Sequence, residues 1–159
     1  MGSIKEGDKM PRFSLPADDD SVVTSDSLKG RKTVLYFYPK DDTTGCTKEA
    51  CDFRDAFPRF GDTDARIIGV SPDSVQSHRK FKQKYDLPFQ LLADEKHDLA
   101  DAFGVWKEKS MYGRKFMGVE RTTVIVDENG RVARIFPKVS VAGHVAEVEE
   151  ALRDLRPDR

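Results

Sequence analysis

Pro39-Lys40-Asp41-Asp42-Thr43-Thr44-Gly45-Cys46-Thr47-Lys48-Glu49-Ala50-Cys51 is the stretch on which the reading of this chain turns. Before it, Thr33-Val34-Leu35-Tyr36-Phe37-Tyr38 is a β-branched and aromatic run, apolar on both faces as a central strand is. After it, Phe53, Ala56, Phe57 and Phe60 recur at helical spacing. A strand ends, a polar loop turns, and a helix opens with a cysteine in its first turn. The unpaired N–H groups and positive dipole end of a helix favour thiolate over thiol at such a position.

Cys46 and Cys51 are the only two cysteines of the chain, so any thiol chemistry is confined to this stretch. A cysteine in a globular protein is most often a small buried hydrophobe, yet a polar, Gly-containing loop is a poor place to bury one. A structural zinc site takes about four ligands. His78, His97 and His144 are scattered without ligand spacing, so no metal is expected. Four residues rather than two separate the cysteines, which excludes the C-x-x-C arrangement of disulfide oxidoreductases. On one α-helix, positions i and i+5 lie about 7.5 Å apart along the axis and about 140° apart around it, with Cα atoms roughly 8.6 Å apart. A disulfide needs Cα atoms within roughly 7 Å. If the two cysteines share the helix, they can bond only when part of it unwinds. The pair reads as a switch.

Toward the N-terminus, residues 4–16 are extended and end in the alternating Phe13-Ser14-Leu15-Pro16. Asp18-Asp19-Asp20 makes a polar turn before Val22-Val23-Thr24, which predicts a small hairpin. Toward the C-terminus, Arg66-Ile67-Ile68-Gly69-Val70-Ser71 is a second buried strand, and Ser74 to Tyr85 an amphipathic helix closed by Leu87-Pro88. Phe89-Gln90-Leu91-Leu92 is a short strand, and Asp94 to Phe103 a helix ended by Gly104. Strands alternating with helices imply parallel pairing and right-handed crossovers. Residues 105–121 carry Trp106, Met111, Tyr112, Phe116 and Met117 without a clear period and read as a long ordered loop. The runs Thr122–Asp127 and Arg131–Phe136 flank Glu128-Asn129-Gly130, the clearest hairpin turn in the chain. A last helix, Gly143 to Leu155, buries Val145, Val148, Leu152 and Leu155. With neither repeat nor linker, residues 1–159 read as one three-layer α/β domain.

Pro39, Thr43 and Cys46 together spell P-x-x-x-T-x-x-C, and this resembles the active-site pattern of the peroxiredoxins. The string from Tyr38 to Thr43, then Gly45-Cys46-Thr47 and Ala50-Cys51, is similar to the bacterioferritin-comigratory, or Q-type, class. The resemblance spans nearly the whole chain, from Gly7-Asp8-Lys9-Met10-Pro11 through Phe103-Gly104-Val105-Trp106 to Gly118-Val119-Glu120-Arg121-Thr122-Thr123. Members of the class often carry proline where this chain has Thr44; proline stiffens a first helical turn.

The resemblance implies a thioredoxin-like fold, with a central mixed sheet between helices. It also implies peroxide reduction, with Cys46 as the nucleophile, Thr43, Arg121 and the backbone N–H groups of Gly45 and Cys46 as the peroxide-binding donors, and Pro39 as a shield over the sulfur. Glu49 matches a glutamate that buttresses the arginine, and Cys51 becomes the resolving thiol of a Cys46–Cys51 disulfide, reduced by a thioredoxin or glutaredoxin. Sulfur carries both electrons, so no heme, flavin or metal cofactor is implied, and the class suggests a monomer. Read singly, Thr43 is a helix N-cap, Pro39 a strand terminator, Arg121 a surface charge and Glu49 an ordinary first-turn acid. Two other functions fit paired cysteines: a thiol–disulfide oxidoreductase, and a redox sensor without peroxide turnover.

Composition narrows the field. Lys and Arg number 27 against 28 Asp and Glu, so no basic excess points to nucleic acid. No apolar run approaches the ~20 residues of a membrane span, and the N-terminus lacks the apolar core of a signal peptide, which argues for the cytoplasm. Met1-Gly2 opens like a myristoylation signal, but Glu6 stands where Ser or Thr is needed.

Overall fold

A computed structural model describes residues 3–155; the Met1-Gly2 start and the chain beyond Leu155 lie outside the described residues. β1 (Ser14–Pro16) and β2 (Val22–Thr24) form the expected N-terminal hairpin, with Leu15 opposite Val23. A 3-10 turn at Asp26–Leu28 leads into β3 (Lys32–Phe37), every residue of which is buried. α1 (Thr44–Gly61) carries the chain to β4 (Ala65–Ser71), and α2 (Val75–Tyr85) carries it on to β5 (Gln90–Ala93). β3, β4 and β5 are parallel neighbours, as strands joined by helical crossovers should be.

After β5 come α3 (Asp98–Ala102) and a hairpin of β6 (Trp106–Met111) and β7 (Arg114–Val119). β8 (Thr122–Val126) then enters the sheet antiparallel to β3, β9 (Val132–Phe136) pairs antiparallel with β8, and α4 (His144–Asp154) follows. The strand order is β5-β4-β3-β8-β9, a mixed sheet.

The pleat of β3 sorts the core into two halves. Val34, Tyr36 and neighbouring Tyr38 point to one face and pack with Phe53 and Phe60 of α1, Phe81 of α2, and Val148 and Leu152 of α4. Leu35 and Phe37 point to the other and pack with Leu28, Leu99, Phe103 and Val124. Burying both faces of a central strand explains why it lacks polar alternation.

Two expectations change. The helix read from Asp94 to Phe103 begins only at Asp98. The Asp94 carboxylate accepts from the N–H groups of Leu99 and Ala100 at 3.2 and 2.9 Å, so Asp94 caps the helix from outside it. The long loop at 105–121 is instead the β6–β7 hairpin. Tyr112 and Gly113 both take positive φ, 53° and 77°, as a two-residue primed turn requires. The hairpin has no alternating burial, because Lys107, Glu108 and residues 110–117 are all exposed.

Gly69 of β4 lies where a side chain has no room: a Cβ there would stand 2.9 Å from Leu91 Cδ2 and 3.0 Å from the Tyr36 ring. Gly69→Ala is expected to destabilise the fold by about 1–3 kcal/mol through overpacking. Urea unfolding reads this directly, and a variant as stable as the parent would show that the sheet yields at this point.

Candidate active site

The site begins where β3 leaves the sheet. Tyr38 still donates its N–H to Val70 O at 3.0 Å, and half-buried Pro39 then turns the chain out. Thr43 is the N-cap residue of α1, with extended backbone (φ −92°, ψ 162°), but its side chain makes no capping bond. Its hydroxyl donates instead to Lys40 O at 3.0 Å. The first helical bond runs from Thr47 N–H to Thr43 O, so the N–H groups of Thr44, Gly45 and Cys46 precede any intrahelical partner. Cys46 sits in this first turn, only 1% exposed. Cys51 lies farther along the same helix, half-buried, and both thiols are free.

Arg121 arrives from the opposite direction. The antiparallel register sets Thr122 against Phe37, so the residue before Thr122 stands beside the chain leaving β3. The Val139 N–H donates to Arg121 O at 2.8 Å and holds its backbone. Arg121 Nη2 donates toward Cys46 Sγ at 3.4 Å, and Nη1 donates to Glu49 Oε1 at 2.6 Å. Burial opposes the guanidinium charge, but Glu49 and Cys46 outweigh it and raise the Arg121 pKa. Gly45 leaves the room this requires, since a Cβ there would lie 3.1 Å from Arg121 Nη2.

Glu49 is one helical turn beyond Cys46 and fully buried. Its second oxygen, Oε2, has no hydrogen-bond partner among the described residues. Burial therefore dominates over the pull of Arg121 and pushes its pKa up to about 7. Tyr36, beneath it, is held well above the usual phenol range by burial and then by Glu49.

Gly45, Cys46, Glu49 and Arg121 lie together, whereas the Thr43 hydroxyl is turned to Lys40 O and Pro39 sits in the loop before the helix. Sequence reasoning missed Lys109 of β6, whose pKa is lowered by burial first and by Arg121 second, with Cys46 pulling the other way. Nothing in its local pattern separates it from the other hairpin cations. It also left His78 among scattered histidines, whereas His78 lies with Asp41 and Asp73 beneath the loop, their ligand-capable atoms within 4.8 Å of one another.

A model of the AhpC/TSA family matches residues 6–135. The chain is 50% identical over 153 residues to peroxiredoxin Bcp of Bacillus subtilis, covering 96% of this chain and 98% of that protein. It is 35% identical over 144 residues to peroxiredoxin Bcp of Escherichia coli, covering 91% and 92%. Among solved structures, peroxiredoxin Q of Xanthomonas campestris is similar at TM-score 0.86 and 41% identity over 90% of both chains. A cysteine-to-serine variant of Xylella fastidiosa peroxiredoxin Q gives TM-score 0.90 at 34% identity over 97% and 98%.

Fold and relatives together define a thiol peroxidase on a thioredoxin-like scaffold, a class that takes a peroxide and a thiol reductant. The chain belongs to the AhpC/TSA family, among its Bcp, or Q-type, peroxiredoxins.

Burial of Glu49 carries a pH signature. Its folded pKa of about 7 lies above the ordinary 4.5, so the native state holds the proton more tightly than the unfolded chain does. Stability then falls as pH rises from about 4.5 to about 7. Glu49→Gln keeps the acceptor for Arg121 and removes the titration. Thermal unfolding of the variant is expected to lack this decline, and parallel pH curves for the two proteins would show that Glu49 does not titrate there.

Proposed function

We propose that this peroxidase reduces hydrogen peroxide and organic hydroperoxides through Cys46. The observation that carries the reading is the Arg121 guanidinium 3.4 Å from Cys46 Sγ at the unsatisfied start of α1. A cation and free N–H groups around one sulfur favour thiolate, the nucleophilic form. The thiolate attacks one peroxide oxygen, the O–O bond breaks, and Cys46 becomes a sulfenic acid. The departing oxygen takes a proton and leaves as water or alcohol. Arg121 and the N–H groups of Gly45 and Cys46 point donors at the charge that develops on the oxygens. Thr43, its hydroxyl proton engaged by Lys40 O, offers the hydroxyl oxygen as an acceptor to the peroxide O–H. Pro39 offers no N–H and shields the sulfur, and Glu49 holds the other arm of Arg121.

Cys51 then attacks the sulfenic sulfur, forming the Cys46–Cys51 disulfide and releasing water. Both cysteines lie on α1, so that step requires the helix between them to open. A thioredoxin or glutaredoxin supplies two electrons to restore the thiols, in a cytoplasmic setting where such reductants operate, with the chain acting as a monomer. An organic substrate is supported by the exposed Met111, Phe116 and Met117 on the hairpin that also carries Lys109. The related Xanthomonas campestris bacterioferritin comigratory protein, 41% identical, has an alkyl peroxide reduction activity. Direct disulfide exchange with proteins is the weaker reading, because a thiol 1% exposed is closed to a protein disulfide until α1 opens.

Cys46→Ser is expected to abolish peroxide consumption. Cys51→Ser is expected to react once and leave a sulfenic acid that dimedone labels. Arg121→Ala should slow oxidation by about 10²–10³, the effect of losing one such donor. Stopped-flow mixing with hydrogen peroxide measures all three, and undiminished turnover by the Cys46 variant would remove Cys46 from its role.

Hydrogen exchange tests the opening of the helix. Amides of 43–52 are expected to lose protection on oxidation while those of Val34–Tyr38 keep theirs. Equal protection of 43–52 in both redox states would mean that the disulfide forms without unwinding.

A further inference from the structure

Asp41 lies in the loop that leads to Cys46, and its polar atoms are fully engaged. Its N–H donates to Asp73 Oδ2 at 2.8 Å. Oδ1 accepts from the Tyr38 hydroxyl at 2.6 Å, and Oδ2 accepts from the Ser77 hydroxyl at 2.7 Å. Oδ2 also faces His78 Nδ1 at 2.8 Å, while His78 Nε2 faces Leu92 O on β5 at 2.9 Å. Both ring nitrogens meet acceptors. Each Asp41 oxygen also receives a hydroxyl donor, so the carboxylate, the ring and the two hydroxyls form one hydrogen-bonded unit. His78 is 0% exposed and Asp41 8%, which makes this a buried hydrogen-bonded pair.

Asp73 is held in turn by the Ser71 hydroxyl at 2.6 Å. The cluster's ligand atoms satisfy one another, so it reads as an anchor rather than a metal cradle. Next in the chain, Asp42 accepts from Lys84 Nζ at 2.8 Å and from the Tyr85 hydroxyl at 3.0 Å. Consecutive loop residues are therefore tied to both ends of α2. Thr43 follows at once, and α1 begins after it.

We propose that the buried Asp41–His78 hydrogen-bonded pair is a positioning device for peroxide reduction. It clamps the Pro39–Thr43 loop to α2, which keeps Thr43 and the start of α1 aligned on Cys46 and leaves a fixed end from which α1 unwinds. The inference rests on the role given to Cys46 above. Neither residue touches the sulfur in any hydrogen bond; both act through the loop. A displacement of about 1 Å at reacting atoms slows a reaction by about 10²-fold, and this is the scale of effect the clamp is proposed to prevent.

The test is stopped-flow oxidation of Asp41→Asn, His78→Gln and the double variant beside the parent chain. Each single variant is expected to react about 10²-fold more slowly, and the double variant no more slowly than either single one, because the pair acts as a unit. The pH at which thiolate absorbance appears should stay where the parent has it, since neither residue touches the sulfur and Arg121 is untouched. Amides of residues 40–43 should lose exchange protection in the reduced state.

If stranding a buried charge prevents folding, Tyr38→Phe and Ser77→Ala each remove one donor to Asp41 without doing so. Both should slow oxidation several-fold with the fold kept. Folded variants that oxidise as fast as the parent, effects that multiply in the double variant, or a shifted thiolate titration that accounts for the loss would each overturn the proposal. A parent chain inert to peroxide would overturn the Cys46 reading instead.

Discussion

Arg121 joins two groups that the opening turns of α1 present on one side, the Cys46 sulfur at 3.4 Å and the Glu49 carboxylate at 2.6 Å. The planar fork of a guanidinium holds two such partners on separate nitrogens in a fixed geometry, where lysine's one ammonium nitrogen would have to serve both. The bridge depends on the antiparallel register of β8 against β3, which delivers Arg121 to the loop that β3 releases. Gly45 favours the same approach, since a Cβ there would crowd Arg121 Nη2 at 3.1 Å. Sheet, loop and helix are each needed to bring one cation to one sulfur.

This arrangement takes Glu49 out of water. Half of its carboxyl is satisfied by Arg121 and half is orphaned, so it is held near the point of protonation at neutral pH. A buried pair of this kind is weak evidence for stability and better understood as a fixed geometry. Arg121 cannot swing away without leaving Glu49 wholly uncompensated.

The helix start that presents free N–H groups around Cys46 also keeps the second thiol away. Cys46 faces the core with Glu49, Ala50 and Phe53, while Cys51 lies about 140° further round the helix. The reduced site and a Cys46–Cys51 disulfide are thus alternative states of one segment. Phe53 and Phe60 pin the later turns into the aromatic core with Tyr36, and α2 grips the loop before the helix through Asp41 and Asp42.

The sequence by itself determined whatever depends on near neighbours in the chain. The buried run at Thr33–Tyr38, the polar loop, the cysteine in a first helical turn, the N-terminal hairpin and the Asn129-Gly130 turn were all legible there, because hydrophobic period and turn chemistry act over a few residues. The shared helix of Cys46 and Cys51 was only a condition there, which α1 meets, and the P-x-x-x-T-x-x-C pattern pointed to the family. The β6–β7 hairpin was not legible: its residues are exposed on both faces and leave no alternating pattern, and its turn rests on Tyr112 in a left-handed conformation. The start of α3 was misplaced because Asp94 caps it from a distance. Only the tertiary structure decided that Arg121 meets a sulfur 75 positions away, that Glu49 Oε2 has no partner among the described residues, and that His78 pairs with Asp41. The physical reason is common to all three. A charge's partner and its loss of water are set by strand register and burial, which join residues far apart in the chain and leave no local trace in it.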